Sequence, residues 1–99
     1  MNTVQLIGNL TADPTPPASE NAPVRFSIAV NYKDSVDYFE IQAWGALGES
    51  CVKFLKKGRK VGVVARLSQN KWETSEGEKR SRIEIDATDV EFLDAPPKA

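Results

Sequence analysis

Five stretches of this 99-residue chain place hydrophobic residues at every second position. The most regular is Val24–Tyr32, in which valine, phenylalanine, isoleucine, valine and tyrosine alternate with small or polar residues. The other four are residues 3–10, 36–44, 61–67 and 80–93. Because successive side chains of a β-strand point to opposite faces, this spacing predicts five strands that each bury one face.

One stretch between the third and fourth of these runs has a helical period instead. Its apolar residues stand at positions i, i+4, i+7 and i+8: Leu47, Cys51, Phe54 and Leu55. This spacing puts them on one face of an amphipathic helix, which we predict over residues 46–57. Lys56 and Lys57 fall in the last turn, where positive charge is favourable, and Gly58 is the predicted C-terminal cap.

The element order is therefore three strands, one helix and two strands. The loop over residues 11–23 holds four of the six prolines, which cannot sustain a ladder of hydrogen bonds. This order is typical of the OB-fold, an all-β Greek-key barrel of five strands with one helix between strands 3 and 4. Another small β-rich barrel or sandwich is the alternative. We predict one domain over residues 1–94 and a short disordered tail over residues 95–99.

The composition argues against an enzyme. The chain has no histidine, which removes the commonest general acid or base and the commonest metal ligand. Its one cysteine, Cys51, falls on the apolar face of the predicted helix, where an inert thiol is expected. No group of residues has the spacing of a catalytic, cofactor or metal site. We therefore predict no catalytic residue, no cofactor and no metal.

The sequence also bears on location. No apolar run approaches the roughly 20 residues that a membrane-spanning helix requires, and the first residues do not resemble a signal peptide. A lone cysteine is typical of a reducing compartment. We predict a cytoplasmic protein with no membrane partner.

The net charge of −1 conceals a segregation of charge along the chain. Residues 53–82 carry ten basic and three acidic side chains, whereas the segments on either side each have a net charge of −4. A local excess of positive charge attracts phosphates whatever the total charge. The basic segment over residues 53–82 therefore predicts either a basic stripe that binds nucleic acid or an ordinary solvated face with scattered charge.

The aromatic residues divide into two groups. The phenylalanines lie on faces that the periodicity assigns to the interior or to a contact: Phe26, Phe39, Phe54 and Phe92. Tyr38 and Trp44 lie on the polar face of the third strand, shared with Glu40 and Gln42, and are predicted to be partly exposed. Trp72 stands beside Lys71 near the tip of the last hairpin. Three further cations follow across the turn: Lys79, Arg80 and Arg82.

Exposed rings beside cations are what single-strand binding requires, because bases stack on the rings while the cations contact phosphates. The structural alternative is that Trp44 closes one end of the barrel and that Trp72 packs against its cross-strand neighbours.

Several short segments occur in the order found in a known family. They are VQLIGNL at residues 4–10, DP at 13–14, FSIA at 26–29, AWGAL at 43–47, FLKKG at 54–58 and KW at 71–72. Together they resemble the bacterial single-stranded DNA-binding protein family over nearly the whole chain. The resemblance implies an OB-fold that self-associates and that binds and protects single-stranded DNA without strong sequence preference. It places this activity in replication, recombination or repair, in association with the nucleoid.

The resemblance also implies which side chains contact DNA. The family's stacking positions fall on Tyr38, Trp44 and Trp72, with Tyr32 as a further candidate. We predict that phosphates are neutralised by a group of cations: Lys71, Lys79, Arg80 and Arg82, with contributions from Lys33, Lys56 and Arg59.

Other positions depart from the family pattern. The hairpin between the second and third strands is reduced to little more than residues 33–35, and Glu40 stands where an arginine is common. Gly62 replaces a bulky residue on a face that pairs dimers into tetramers, and like charges on Lys60 and Arg66 would repel across a two-fold axis. We therefore expect a homodimer, with a homotetramer as the alternative.

The family's flexible linker and acidic tip have no counterpart before Ala99, so we expect no replication partners recruited through such a tail. The short hairpin and the acidic outer segments leave a second function open. This is an OB-fold protein-interaction module, similar to a primosome accessory protein, with weak DNA binding.

Overall fold

The computed structural model describes residues 1–93 and contains the elements in the predicted order. They are β1 (Val4–Leu10), β2 (Val24–Tyr32), β3 (Ser35–Ala43), α1 (Gly45–Phe54), β4 (Lys60–Glu73) and β5 (Lys79–Phe92). The period-two pattern located β2 at its observed bounds, and β1, β3 and β5 begin and end within one residue of the prediction, whereas β4 continues to Glu73, six residues past the predicted run. The predicted domain end at residue 94 and the predicted tail over 95–99 lie outside the described residues.

The strands close into a barrel in the order β1-β2-β3-β5-β4. Neighbouring strands are antiparallel except β3 and β5, which pair in parallel at Ile41 with Ile85 and at Gln42 with Asp86. A closed five-stranded barrel with one helix between β3 and β4 confirms the predicted fold class.

The inner faces of the strands form the core. The buried apolar residues are Leu10, Val24, Phe26, Ile28, Ile41, Ala43, Cys51, Leu55, Val61, Val63 and Ala65. Those of β2 alternate as the sequence predicts, with Val24, Phe26 and Ile28 buried. Each large aliphatic side chain buried in this way contributes about 1.5–3 kcal/mol to folding, so alternation along the strands sets which face turns inward.

The helix is shorter than predicted, because it ends at Phe54 instead of Lys57. Leu55 already has extended backbone angles, and its side chain is fully buried in the core. The next residues are held by β1 and the loop that follows it. The backbone N–H of Lys57 donates to the Asp13 carboxylate at 2.9 Å.

Gly58 has the positive φ that the sequence analysis assigned to a helix cap, but it serves a different turn. Its N–H donates to the carbonyl of Leu10 at 2.8 Å, and the N–H of Arg59 donates to the carbonyl of Lys56 at 3.1 Å. These two contacts direct the chain into β4, so the prediction of Gly58 as the helix cap was wrong.

Phe54 was predicted to lie on the apolar face of the helix, facing either the interior or a contact, and the structure places it in a contact instead of the core. Phe54 is half-exposed, as is Phe92, and their ring centroids lie 6.0 Å apart in a tilted arrangement. α1 ends at Phe54, and Leu55, in the extended segment that follows, occupies the core position, whereas Phe54 packs at the surface against Phe92 of β5.

β4 and β5 continue past the barrel as a two-stranded ribbon. Beyond the parallel pairs, β5 pairs only with β4, out to Glu73 with Lys79. We call residues 67–85, including the turn, the hairpin arm. Leu67 and Ile83 lie on the core-side face of this arm but are exposed, because no other strand covers them. Within residues 1–93, no helix has the length and apolar character needed to cross a membrane.

Candidate nucleic-acid interface

One continuous surface runs from the barrel along the hairpin arm. Residues directly paired in an antiparallel ladder have their side chains on the same face. The pairs on this surface are Arg66 with Asp86, Ser68 with Glu84, Asn70 with Arg82 and Trp72 with Arg80. Their neighbours Ala65 and Ile85 face the core, so this surface is the outside of the sheet, and we call it the outer face.

β3 extends the outer face on its other side through its even-numbered residues. Gln42 donates from Nε2 to Oε2 of Glu84 at 2.7 Å, and Nε1 of Trp44 lies 3.4 Å from Oδ1 of Asp86. Tyr38 is on the same face of β3, since it lies four residues before Gln42. The outer face therefore brings Tyr38, Trp44 and Trp72 onto one surface.

These three aromatic side chains are open to solvent, as the sequence predicts. Tyr38 is 69% exposed, Trp44 49% and Trp72 45%. Within the described part of the chain, none of the three rings packs against another ring. Each presents a ring face on which a base can stack.

The cations around Trp72 do not all share its face. Lys71 is paired with Ser81, and Glu73 is paired with Lys79, so both lysines lie on the core-side face of the hairpin arm. Arg80 and Arg82 are on the outer face with Trp72. Their proximity in the sequence predicted one group of cations, and the structure divides it between the two sides of the ribbon. A shallow cleft at the end of the arm is nevertheless lined by Trp72, Arg80 and both lysines.

Tyr32 and Lys33 lie at the other hairpin, where a two-residue turn joins β2 to β3. Tyr32 is paired with Ser35 and is on the opposite face from Tyr38. The Lys33 ammonium lies 5.5 Å from the centroid of the Tyr32 ring, and Lys33 has a left-handed φ of 54°. Both side chains are exposed, but they do not extend the outer face.

Lys56 and Arg59 are distant from the hairpin arm. They flank the turn that precedes β4, whereas Trp72 lies near the far end of that strand. At about 3.3 Å per residue, the length of β4 between these points is about 40 Å. A contact of either cation with DNA requires a long strand path around the barrel.

Arginines on the outer face are bound to carboxylates. The ion pairs are Arg25–Glu40 at 3.0 Å, Arg66–Asp86 at 3.9 Å, Arg80–Glu78 at 2.6 Å and Arg82–Glu84 at 3.2 Å. Glu84 and Asp86 were not among the site residues predicted from the sequence. The sequence does place them on the face of Arg82, because residues two apart in a strand share a face and Arg82, Glu84 and Asp86 follow that spacing.

Glu84 lies at the centre of this arrangement. Its burial alone would raise the pKa of its carboxyl, but hydrogen bonds from Gln42, Arg82 and Asn70 and the charge of Arg82 outweigh burial. The pKa of Glu84 is therefore below its ordinary value, and the side chain is ionised at neutral pH. Gln42 is buried beneath this contact, although alternation places it on the outer face.

The described residues offer little for a reactive thiol or for a metal site. Burial raises the pKa of the Cys51 thiol to about 11, so that it is protonated and enclosed at neutral pH. Residues 1–93 contain no cluster of three or more cysteine or acidic side chains arranged to hold a metal ion.

Comparisons with known proteins find relatives that match most of the chain. The model of the Single-strand binding protein family matches residues 1–93. The chain is 38% identical to the single-stranded DNA-binding protein of Treponema pallidum, over 94% of this chain and 58% of that protein. It is 36% identical to single-stranded DNA-binding protein 1 of Chlorobaculum tepidum, over 96% of this chain and 66% of that protein. The chain thus spans about three-fifths to two-thirds of the length of these relatives.

A solved structure is similar over almost the whole fold. The mitochondrial single-stranded DNA binding protein Rim1 of S. cerevisiae superposes with a TM-score of 0.75, covering 92% of this chain and 93% of that one. The two sequences are 20% identical, so this likeness concerns the fold, and it supports the OB-fold.

Proposed function

The chain belongs to the single-strand binding protein family, and we propose that it binds and protects single-stranded DNA without strong sequence preference. The observation that carries this proposal is the outer face, on which the exposed rings of Tyr38, Trp44 and Trp72 share one surface with arginines. The proposed domain extends over the barrel and the hairpin arm. The proposed setting is DNA replication, recombination or repair, where single strands are exposed.

In the proposed mechanism, bases stack on the three rings of the outer face. Stacking on an aromatic side chain contributes about 1–3 kcal/mol per base and is tolerant of sequence, because every base has a π-face. The contact between Trp44 and Asp86 holds one ring next to the root of the hairpin arm, while Trp72 lies towards its tip. A single strand can therefore follow the arm outward from the barrel.

Phosphates are proposed to contact the cations of the hairpin arm. Lys71 and Lys79 have no carboxylate partner among the described residues, and they line the cleft beside Trp72. Arg80 and Arg82 lie on the outer face itself. Lys33, Lys56 and Arg59 are proposed to contribute where a longer strand continues around the barrel, and Tyr32 to stack near Lys33.

A titration over a salt series tests this function. Oligo(dT) is added to the protein at several salt concentrations, and an equal-length duplex is the control. We expect binding to oligo(dT) whose log–log dependence on salt is steeply negative, with about −0.7 for each phosphate contact. Failure to bind oligo(dT) even at low salt would instead support a protein-interaction module.

We also propose that the chain forms a homodimer. A Cβ on Gly62 would lie 3.5 Å from the Leu93 side chain and 4.0 Å from Cβ of Glu91, so a side chain fits here at ordinary contact distances and glycine leaves this part of β4 flat. A larger side chain at this position would supply apolar contact area for a further interface, and glycine supplies little. Light scattering should give twice the chain mass of 10.9 kDa, and a mass four times that of the chain would refute the dimer.

A further inference from the structure

Carboxylates hold the guanidinium groups of the outer face. Arg82 donates to Oε1 of Glu84 at 3.2 Å, and the Glu84 side chain is only 14% exposed. Glu84 also accepts hydrogen bonds from Gln42 at 2.7 Å and from Asn70. Arg82, by contrast, is more than half exposed, so solvent and solutes reach its guanidinium directly.

A guanidinium binds carboxylate and phosphate oxygens with the same donor groups. An arginine that already has a carboxylate partner therefore gives up that contact when it binds a phosphate, or it binds the phosphate with fewer donors. The same carboxylate repels an approaching phosphate. A small cleft between β3 and β5 adds a second acid to this environment, since it is lined by Glu40 and Gln42 together with Arg82 and Glu84.

We propose that Glu84 is an affinity-limiting residue, whose carboxylate competes with DNA phosphate for Arg82. This inference rests on the proposed function and specifies how one position of that site is tuned. Arg82 then contributes less to the salt dependence of DNA binding than a cation without a carboxylate partner, although it is exposed on the outer face. Most of the electrostatic contribution comes from cations without carboxylate partners.

Three variants form a double-mutant cycle: Glu84→Gln, Arg82→Gln and the two combined. Glutamine at position 84 keeps an oxygen that can accept from Gln42, so the contact beneath the outer face is preserved. Glu49→Gln is the matched control, because it removes one exposed negative charge from α1, away from the outer face. Oligo(dT) is used for every titration because thymine does not titrate near neutral pH.

We expect Glu84→Gln to bind oligo(dT) about three- to tenfold more tightly at low salt, about the net contribution of one ordinary hydrogen bond. Its salt slope should steepen by about 0.7, the value of one additional phosphate contact. Arg82→Gln should reduce the salt slope less in the wild type than in the Glu84→Gln background, where it should abolish the gain. Glu49→Gln should change neither quantity by as much.

The outcomes separate this inference from the proposed function. If the wild type does not bind oligo(dT), the proposed function fails. If the wild type binds but Glu84→Gln has the same affinity for oligo(dT) as Glu49→Gln, only the proposed competition fails. The same conclusion follows if Arg82→Gln lowers the affinity of the wild type as much as it lowers that of Glu84→Gln. Glu84→Asp, which withdraws the carboxylate by one methylene, is the second variant if Glu84→Gln does not fold. A gain in affinity for Glu84→Asp supports the competition, and an unchanged affinity contradicts it.

Discussion

The indole Nε1 of Trp44 lies 3.4 Å from Oδ1 of Asp86, at the point where β3 and β5 run in parallel. The other oxygen of the same carboxylate accepts a hydrogen bond from Ser68 on β4 at 2.7 Å. Asp86 of β5 thus connects the end of β3 to β4 at the root of the hairpin arm. For this reason Trp44, which follows β3, and Trp72, near the tip of the arm, belong to the same surface.

Replacing Trp72 with alanine removes the exposed ring nearest the tip of the arm. We expect Trp72→Ala to weaken oligo(dT) binding by about 1–3 kcal/mol, the usual contribution of one stacked base. Isothermal titration at fixed salt measures the loss, and Trp72→Phe is the control that keeps an aromatic ring. If Trp72→Ala keeps the wild-type affinity for oligo(dT), Trp72 is not part of the DNA interface.

The two tyrosines near the β2–β3 turn should differ, because they lie on opposite faces of that hairpin. Tyr38→Ala should lower the affinity for oligo(dT) by about 1–3 kcal/mol, since Tyr38 is on the outer face. Tyr32→Ala should lower the affinity for oligo(dT) by a smaller amount. Fluorescence anisotropy of a labelled oligonucleotide measures both variants, and an equal or larger loss for Tyr32→Ala would show that DNA follows the other side of the hairpin.

Lys71 and Lys79 should account for part of the salt dependence. Each lysine lacks a carboxylate partner within residues 1–93, so Lys71→Gln and Lys79→Gln should each reduce the magnitude of the salt slope by about 0.7. Lys57→Gln is the control, because Lys57 lies in the turn before β4, at the opposite end of that strand. Equal slopes for all three variants would argue against phosphate contacts on the core-side face of the arm.

Two glycines in adjacent strands should respond differently to alanine. A Cβ at Gly8 would lie 2.5 Å from the backbone oxygen of Ala29, so β1 and β2 must separate. We expect Gly8→Ala to lower the free energy of unfolding by about 1–3 kcal/mol. A Cβ at Gly62 would meet its neighbours only at ordinary contact distances of 3.5 Å or more, and Gly62→Ala should leave stability unchanged or raise it by about 0.4–1 kcal/mol. Urea unfolding at one protein concentration compares them, and similar losses would contradict the packing described for Gly8.

Sequence periodicity was sufficient for the strands, because alternation records directly which side chains are buried. β2 was predicted with its observed bounds, and the exposure of Tyr38 and Trp44 followed from the same pattern. The end of α1 could not be predicted in this way. It depends on the contacts of Lys57 with Asp13 and of Gly58 with Leu10, which join parts of the chain more than forty residues apart.

The candidate site was partly predictable for the same reason. The sequence identified the aromatic residues, but proximity along the chain led to Lys71 and Trp72 being treated as one group. Adjacent residues of a strand face opposite sides, so alternation already separated these two side chains. By contrast, the contacts of Glu84 with Gln42 and of Asp86 with Trp44 depend on the parallel pairing of β3 with β5, which no local pattern indicates.

Single-tryptophan proteins test the central claim most directly, because the chain has two tryptophans and both lie on the outer face. Trp44→Phe leaves only Trp72 to report, and Trp72→Phe leaves only Trp44, while each keeps a ring for stacking. We predict that saturating oligo(dT) quenches the emission of both proteins at the same stoichiometry and that an equal-length duplex does not. The claim is contradicted if either emission is unchanged when the anisotropy of a labelled oligonucleotide shows that binding is complete.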